Sequence, residues 1–310
     1  MNAKVFGKKA IGAISSIINL IVLTSVVSLI AIAGYALWDS SQLYEAADKS
    51  HYEIYRPTAE SENRSFKELQ ALNEDVFGWL TVYGTNIDYP LVQGEDNMTY
   101  VNTSAEGKYS LSGAIFLDSA NSLDFSDFNH IIYGHHMAKK TMFGEIGDFA
   151  DKEKFDTHKY GYLFFGEKDH GLEFFAFVHA DAYDFTIFNA NVDDEFRGEY
   201  LENLLSKAIH TRDIGISTSD RIVLLSTCSS DSTNGRDILV ARLTDTAFDE
   251  PTAPSLPEYH NIDGYVKAFP LLLIAVIILT TLLIIRTLKF LYSSVKSVKN
   301  RHINKADKRQ

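Results

Sequence analysis

The sequence predicts a mainly β domain, either a closed barrel or a sandwich, placed between two membrane-spanning helices. Three observations support this fold class. Short runs of β-branched and aromatic residues, separated by glycine-containing turns, fill the middle of the chain. A long apolar segment without charged side chains lies near each end. Acidic residues are concentrated between these two segments, and basic residues flank them.

The two apolar segments cover residues 11–38 and 268–285. A helix rises about 1.5 Å per residue, so these lengths match or approach the ~30 Å of a bilayer core. A cleaved signal peptide is the alternative for the first segment, and a buried core helix is the alternative for the second. The length of the first segment and the basic residues that follow the second favour membrane helices.

Charge predicts the orientation of the chain in the membrane. Residues 1–38 contain three Lys and no acid, and residues 267–310 contain nine Lys and Arg against one Asp. Residues 39–259 contain 17 Lys and Arg against 39 Asp and Glu. Because basic flanks remain in the cytoplasm, we expect both ends inside and the acidic part outside. The acidic part is also unsuited to nucleic-acid binding, which needs a basic surface.

These features divide the chain into seven predicted regions. The central region is expected to be held to the outer face of the cell membrane at both of its ends. The regions are a cytoplasmic tail (1–10), a transmembrane helix (11–38), an extracellular helical segment (39–75), a β domain (76–247), a linker (248–267), a second transmembrane helix (268–285) and a basic cytoplasmic tail (286–310).

Eight short runs predict the strands of the β domain, and about eight strands in ~165 residues suggest a closed barrel or a sandwich. Between the sixth and seventh runs, apolar residues at helical spacing over 193–212 predict an inserted amphipathic helix. The eight runs are 79–83, 88–92, 114–117, 130–133, 162–165, 174–178, 222–227 and 238–243.

Cys228 is the only cysteine among the 310 residues, so it cannot form a disulfide within the chain. It directly follows the apolar run 222–227, and Arg236 lies eight positions further on. A free cysteine in a strand is often a small buried side chain. The other interpretation is that Cys228 is a nucleophile.

Several motifs make the chain resemble class B sortases, which are membrane-anchored cysteine transpeptidases of Gram-positive bacteria and include pilus-associated members. The resemblance covers about residues 65–245 and is specific because the Tyr-Gly-His, Ser-Thr-Cys and Gly-Arg elements occur together. The matching stretches are NEDVFGWL at 73–80, GTNIDYPLVQ at 84–93, DN at 96–97, GAIFLD at 113–118, NHIIYGHHM at 129–137, MFG at 142–144, LSTC at 225–228 and GRD at 235–237.

The resemblance implies an eight-stranded sortase barrel with a helix inserted between strands 6 and 7, and it implies catalytic roles for three residues. Cys228 would attack the carbonyl of a sorting signal and form a thioester. His135 would protonate the leaving amine and later deprotonate the incoming one. Arg236 would hold the substrate and stabilise the oxyanion.

Neighbouring residues compete with these assignments or add to them. His136 follows His135 directly and is expected to line the cleft or to be solvated, and Ser226 and Thr227 are further candidates for substrate binding. Arg242 competes with Arg236 but lies deeper in its strand. Asp237 is expected to be solvated. The sequence shows no zinc, calcium, phosphate-loop or dinucleotide motif, so neither a metal nor a cofactor is expected.

The resemblance implies cleavage of an LPxTG-like or NPxTG-like sorting signal between Thr and Gly, followed by transfer to an amine of the cell wall. A second apolar segment is more familiar in pilus-polymerising sortases, so a Lys of a pilin is an alternative acceptor. Two further alternatives are a catalytically inactive module that binds sorting signals and a protease whose thioester is hydrolysed by water.

Overall fold

The computed structural model describes residues 3–57, 64–228 and 234–250, together with helical positions 277, 278, 280–282, 284–289 and 292. The chain forms two compact units. The first unit contains Met1–Ser41 and Glu258–Gln310, and the second contains Gln42–Pro257. The second unit holds the β domain and every candidate site residue.

A single long helix, α1 (Ala3–Ala47), contains the first apolar segment. Within its residues Ile14–Glu45, an 18-residue window has a mean hydropathy of 2.4, and the length and composition of the segment would allow it to cross a membrane. This helix is compatible with the predicted membrane anchor. Most of the second predicted span, 268–285, lies outside the described residues.

The β domain is a closed barrel of eight strands with a ninth strand attached to it, which confirms the predicted fold class and selects the barrel over the sandwich. The strands are β1 (Val76–Val82), β2 (Asp88–Val92), β3 (Ile115–Leu117), β4 (Asn129–Tyr133), β5 (Tyr160–Phe165), β6 (Lys168–Asp181), β7 (Ala208–Thr211), β8 (Arg221–Cys228) and β9 (Gly235–Thr244). Around the barrel the order is β5-β1-β2-β3-β4-β8-β9-β6, and a pairing between β5 and β6 closes the ring.

Three short helices accompany the barrel: α2 (Arg64–Leu72), α3 (Lys152–Thr157) and α4 (Arg197–Ser206). The inserted helix α4 lies between β6 and β8, the sixth and seventh strands of the barrel, as predicted. The prediction of one helix over 193–212 was too long, because 208–211 form the extra strand β7 on β6. Burial alternates along β7, as expected for a strand at a sheet edge.

Two apolar clusters bury both faces of β8 and β9. Leu225 and Leu239 belong to the larger cluster, to which strands all round the barrel contribute. Leu224 and Val240 belong to the second cluster, which includes Leu204 of α4. Burial on both faces explains why these strands are continuous apolar runs rather than alternating ones. The ends of β8 and β9 are therefore held rigidly where the candidate site residues begin.

Candidate active site

Strand pairing brings the three predicted catalytic residues to one end of the barrel. β4 and β8 run parallel with Tyr133 opposite Ser226. His135 and Cys228 each follow this pair by two residues. β9 runs antiparallel to β8, and there Arg236 is the register partner of Cys228. Cys228 is the last residue of β8, and its side chain lies outside the described part of the structure.

The main chain that leads to His135 is held tightly against β8 and the loop that follows. The Gly134 N–H donates to the Ser226 carbonyl at 3.2 Å, and the Phe143 N–H donates to the His135 carbonyl at 3.0 Å. A Cβ at Gly134 would lie 2.5 Å from Cδ1 of Ile115 and 2.8 Å from the Phe143 ring. Only glycine allows this close approach, which explains a glycine directly before His135.

The His135 ring is half-buried, and its Nε2 lies 2.8 Å from the Val101 carbonyl oxygen. A carbonyl oxygen only accepts hydrogen bonds, so Nε2 carries a hydrogen in this arrangement. Nδ1 is then the ring nitrogen that remains for proton transfer. The neighbouring His136 side chain is exposed, and its main chain pairs with Met142. The structure therefore separates the environments of the two adjacent histidines.

An aromatic and polar group surrounds Tyr133, which lies two residues before His135. The Tyr133 hydroxyl donates to Oδ2 of Asp118 at 2.9 Å, and Nδ2 of Asn97 donates to the same oxygen at 2.9 Å. Burial, with a smaller effect of Asp118, raises the pKa of Tyr133, so its hydroxyl remains a donor. The Tyr133 ring lies 5.3 Å from that of Phe116 and 6.5 Å from that of Phe188. Sequence reasoning did not single out these five residues, although all except Phe188 lie in or next to the matching stretches.

Ser226 and Thr227 are almost completely buried, at 1% and 2% exposure. Among the described residues, neither hydroxyl has a hydrogen-bond partner. Successive residues of a strand point to opposite faces, so the two hydroxyls cannot meet one ligand in one groove. Ser226 is opposite Ile238, which lies on the same face of β9 as Arg236, whereas Thr227 is opposite Asp237. Ser226 therefore shares a face with Arg236.

Arg236 is half-buried, and its Nη1 donates to the Gly235 carbonyl at 2.9 Å. Among the described residues, no carboxylate lies within ion-pair distance of Arg236. Arg242, the other candidate for the substrate-holding arginine, already has partners: it forms an ion pair with Glu173 and donates to the Ile214 carbonyl. The guanidinium of Arg236 thus keeps donors for a substrate, and Arg242 has a structural role.

The expectation that Asp237 is solvated was wrong. Its side chain is 12% exposed and accepts a hydrogen bond from Nδ1 of His179, with 3.0 Å between Nδ1 and Oδ1. A Cβ at Gly147 would lie 2.9 Å from Asp237 Oδ2, so this glycine leaves room for the carboxylate. The register of β9 buries this acid, because it pairs Asp237 with Thr227 on β8 and with His179 on β6.

An exposed aromatic segment flanks the start of β9. Asp181 pairs with Gly235, and the Ala182 N–H donates to the Asn234 carbonyl at 2.8 Å. Tyr183 and Phe185 follow, and Phe185 is 77% exposed. These two rings therefore follow directly after residues that contact the start of β9, the strand that carries Arg236.

Among the described residues, no group of three or more His, Cys, Asp or Glu could hold a metal ion.

The barrel, its inserted helix and the grouping of Cys228 with a histidine and an arginine define a sortase-type cysteine transpeptidase. The chain is 34% identical over 183 residues to sortase B of Listeria monocytogenes, an alignment that covers 57% of this chain and 73% of that protein. The chain therefore belongs to the sortase B family. No protein-family model matches the chain.

Two solved structures are similar to this barrel. Sortase B from the type II pilus of Streptococcus pneumoniae is 50% identical, with a TM-score of 0.51, and the match covers 58% of this chain and 99% of that one. A Streptococcus pyogenes class B sortase involved in pilus biogenesis is 40% identical, with a TM-score of 0.54, and the match covers 59% of this chain and 100% of that one.

Proposed function

We propose that this sortase cleaves a sorting signal between Thr and Gly through a thioester on Cys228 and then transfers the protein to an amine. The observation that carries this proposal is the convergence of His135, Cys228 and Arg236 at the ends of β4, β8 and β9. The signal is of the LPxTG-like or NPxTG-like class.

The chemistry follows from these three groups. The Cys228 sulfur attacks the carbonyl carbon of the signal Thr while its thiol proton passes to Nδ1 of His135, and the resulting oxyanion is stabilised by the guanidinium of Arg236. The C–N bond then breaks, and His135 gives the proton at Nδ1 to the departing glycine amine. In the second half, Nδ1 of His135 takes a proton from the acceptor amine as that amine attacks the thioester. A new amide bond forms, the C–S bond breaks, and His135 returns the proton to the Cys228 sulfur.

The acceptor that we propose is the Lys side chain of a pilin subunit. Support comes from the identities of 50% and 40% to the two pilus-associated class B structures, compared with 34% to the Listeria sortase B. An amine of a cell-wall precursor is the competing acceptor, and the same catalytic groups would serve it. The product of the reaction therefore has to show which of the two acceptors the enzyme uses.

We also propose a two-pass topology with the barrel outside the membrane. Support comes from contacts of residues before the barrel and in β1 with the segment that follows the barrel. Nη2 of Arg56 lies 3.9 Å from Oε2 of Glu250, and the Tyr83 hydroxyl donates to the Phe248 carbonyl at 2.9 Å. The Phe248 ring stacks on Tyr160 with 4.2 Å between centroids. Arg56, which follows α1, thus lies close to Glu250, which follows the barrel, and this proximity supports a chain anchored both before and after the barrel.

The test is mass spectrometry of the full-length protein in detergent, incubated with a pool of sorting-signal peptides and two acceptors, a pilin Lys peptide and oligoglycine. We expect cleavage between Thr and Gly, an acyl adduct on Cys228, and ligation to the Lys peptide. Cys228→Ala and Arg236→Ala should abolish the adduct or reduce it about 100-fold or more, since a lost oxyanion donor costs roughly that much.

Other products would point to the alternatives. Ligation to oligoglycine alone would support the cell-wall acceptor over the pilin. Hydrolysed signal without ligation to either amine would identify a protease. A folded protein that binds signals but forms no adduct on Cys228 would be a binding module, and the transpeptidase proposal would be wrong.

A further inference from the structure

The loop that follows His135 is strained and packed against the rest of the barrel. Lys139, Lys140 and Met142 have φ values of 60°, 60° and 52°, the left-handed region that non-glycine residues seldom occupy. Such residues persist only where the surrounding structure determines their conformation. The contacts that hold residues 137–144, here called the His135 loop, therefore decide where the histidine main chain lies.

A buried tyrosine hydroxyl is the first of these contacts. Tyr89 is 1% exposed, and its hydroxyl accepts a hydrogen bond from the Met142 N–H at 3.0 Å. Met142 pairs with His136, and the next residue, Phe143, donates to the His135 carbonyl at 3.0 Å. Tyr89 thus bonds the residue directly before Phe143, and the hydrogen bond of Phe143 fixes the main chain of His135.

The same hydroxyl is bonded to the last residue of α1. It donates to the Ala47 carbonyl at 2.9 Å, and a carbonyl in the last turn of a helix has no partner inside that helix. Burial raises the pKa of Tyr89, which keeps the donated hydrogen in place at physiological pH. One side chain therefore joins the end of α1 to the His135 loop.

A second contact joins the same two segments independently. The Lys139 Nζ lies 4.5 Å from the centre of the Tyr44 ring, a cation–π geometry. Tyr44 lies in the last turn of α1, three residues before Ala47. The strained loop is therefore held at two positions by the end of the helix that carries the apolar anchor sequence.

We propose that the last turn of α1 positions the catalytic histidine, with Tyr89 and Lys139 as the positioning residues. This inference rests on the proposed role of His135. Neither residue touches the reacting atoms. If either contact is lost, fewer interactions hold the left-handed conformations of Lys139, Lys140 and Met142. The His135 main chain then shifts relative to Cys228, whose strand β8 is fixed by the core.

The first test compares Tyr89→Phe with Tyr52→Phe in the full-length protein in detergent. The Tyr52 ring lies 6.3 Å from the Tyr89 ring, but the polar neighbours of the Tyr52 hydroxyl are Ser104 and Ala105, which are outside the His135 loop. The two variants therefore remove comparable buried hydroxyls. We measure kcat and KM with the sorting-signal peptide, and the pH profile of iodoacetamide alkylation, which reports on the only thiol.

We expect Tyr89→Phe to lower kcat about 10-fold with KM changed less than about 2-fold, because misplacement of a proton-transfer group affects the transition state more than binding. Its alkylation profile should shift along the pH axis. Tyr52→Phe should leave kcat and the profile close to those of the parent protein. Equal effects of the two variants on kcat, or an unshifted profile in Tyr89→Phe, would overturn the inference.

The second test uses an exposed residue, so that folding is not at stake. Lys139→Met removes the cation, whereas Lys139→Arg keeps a cation able to lie over the Tyr44 ring. We expect a loss of kcat of about 3-fold in Lys139→Met and recovery in Lys139→Arg. Identical kcat values for both variants and the parent protein would mean that Lys139 does not help to position His135.

His135→Ala separates this inference from the proposed function. If His135→Ala turns over sorting signals like the parent protein, the proposed catalytic role is wrong, whatever Tyr89→Phe does. If His135→Ala is inactive and Tyr89→Phe behaves like Tyr52→Phe, the catalytic role stands and only the positioning by α1 fails.

Discussion

The two residues before Cys228 show how strand geometry assigns roles to adjacent side chains. Ser226 and Thr227 are equally buried, and within the described residues both hydroxyls are unpartnered. A buried hydroxyl that bonds nothing costs about 1–3 kcal/mol. Such a cost in the free enzyme is recovered if a substrate supplies the missing partner. Because Ser226 shares a face with Arg236, it is the better candidate for this contact.

We predict that Ser226→Ala raises KM for the sorting-signal peptide about 5- to 10-fold, the loss of about one hydrogen bond. Thr227→Val, which keeps the shape of the side chain, should change KM less. Neither variant should lower the thermal unfolding midpoint, since neither removes a hydrogen bond of the free protein. Steady-state kinetics and thermal unfolding test both points, and a larger rise of KM in Thr227→Val would reverse the assignment.

At the residue scale, the motifs supplied Cys228, His135 and Arg236 as candidates, but not their partners. The His135 Nε2 bonds the carbonyl of Val101, 34 positions away in sequence. A main-chain oxygen has no signature in the sequence, so this partner could not be predicted. Asp237 illustrates the same limit. A lone acid beside an arginine indicates solvent exposure, and only the register of three strands reveals its contact with His179.

At the scale of elements, periodicity predicted all eight barrel strands, because each is apolar and bounded by turn residues. It failed for β7, where Ile209 and Thr211 continue an apparently helical segment. The edge of β6 explains why this segment forms a strand and not a helix. Residues 168–173 of β6 pair with β5, and residues 176–178 of the same strand remain for β7. A short segment beside an unpaired edge gains ladder hydrogen bonds that helical spacing cannot predict.

Strand β4 contains a buried histidine whose protonation opposes folding. His130 is completely buried between β8 and the Phe125 ring, and its Nδ1 lies 3.3 Å from the Ile222 carbonyl oxygen. Burial lowers the pKa of His130 to about 4, whereas an unfolded histidine titrates near ~6.5. Between these values the unfolded state binds more protons than the folded state. Stability is therefore fully present above about pH 6.5 and is lost as the pH falls towards about 4.

We predict that His130→Gln flattens this pH dependence. The slope of the unfolding free energy against pH, measured by urea denaturation between about pH 4 and about pH 6.5, should decrease by up to ~1.4 kcal/mol per pH unit. The exposed His136 provides the matched control, and His136→Gln should keep the parent slope. An unchanged slope in His130→Gln would mean that other groups dominate the acid response.

At the scale of the whole molecule, the contacts of the segment after the barrel are the structural support for the proposed two-pass topology. The ion pair between Arg56 and Glu250 lies beside the contacts of Phe248 with Tyr83 and Tyr160. An ectodomain with distant ends would need long linkers to return to the membrane. The basic residues after 285 fit the proposed cytoplasmic tail.

The chain is well suited to a labelling test of this topology because it contains a single cysteine. In a Cys228→Ala background, new cysteines are introduced one at a time as Asn2→Cys, Tyr109→Cys and Gln310→Cys. Intact protoplasts are treated with a membrane-impermeant maleimide. We expect label on Tyr109→Cys, a position 78% exposed on the barrel. The two terminal variants should be labelled only after permeabilisation, because the proposed topology places both tails in the cytoplasm.

Each alternative predicts a different pattern in the same test. If residues 268–285 do not cross the membrane, Gln310→Cys will be labelled in intact protoplasts, and the C-terminal tail will lie outside. If the first apolar segment is a cleaved signal peptide, Asn2→Cys will be missing from the mature protein after permeabilisation, and mass spectrometry will show a new N-terminus. A two-pass enzyme keeps both tails with the mature chain, so the proposed topology predicts that both terminal cysteines are present and are labelled only after permeabilisation.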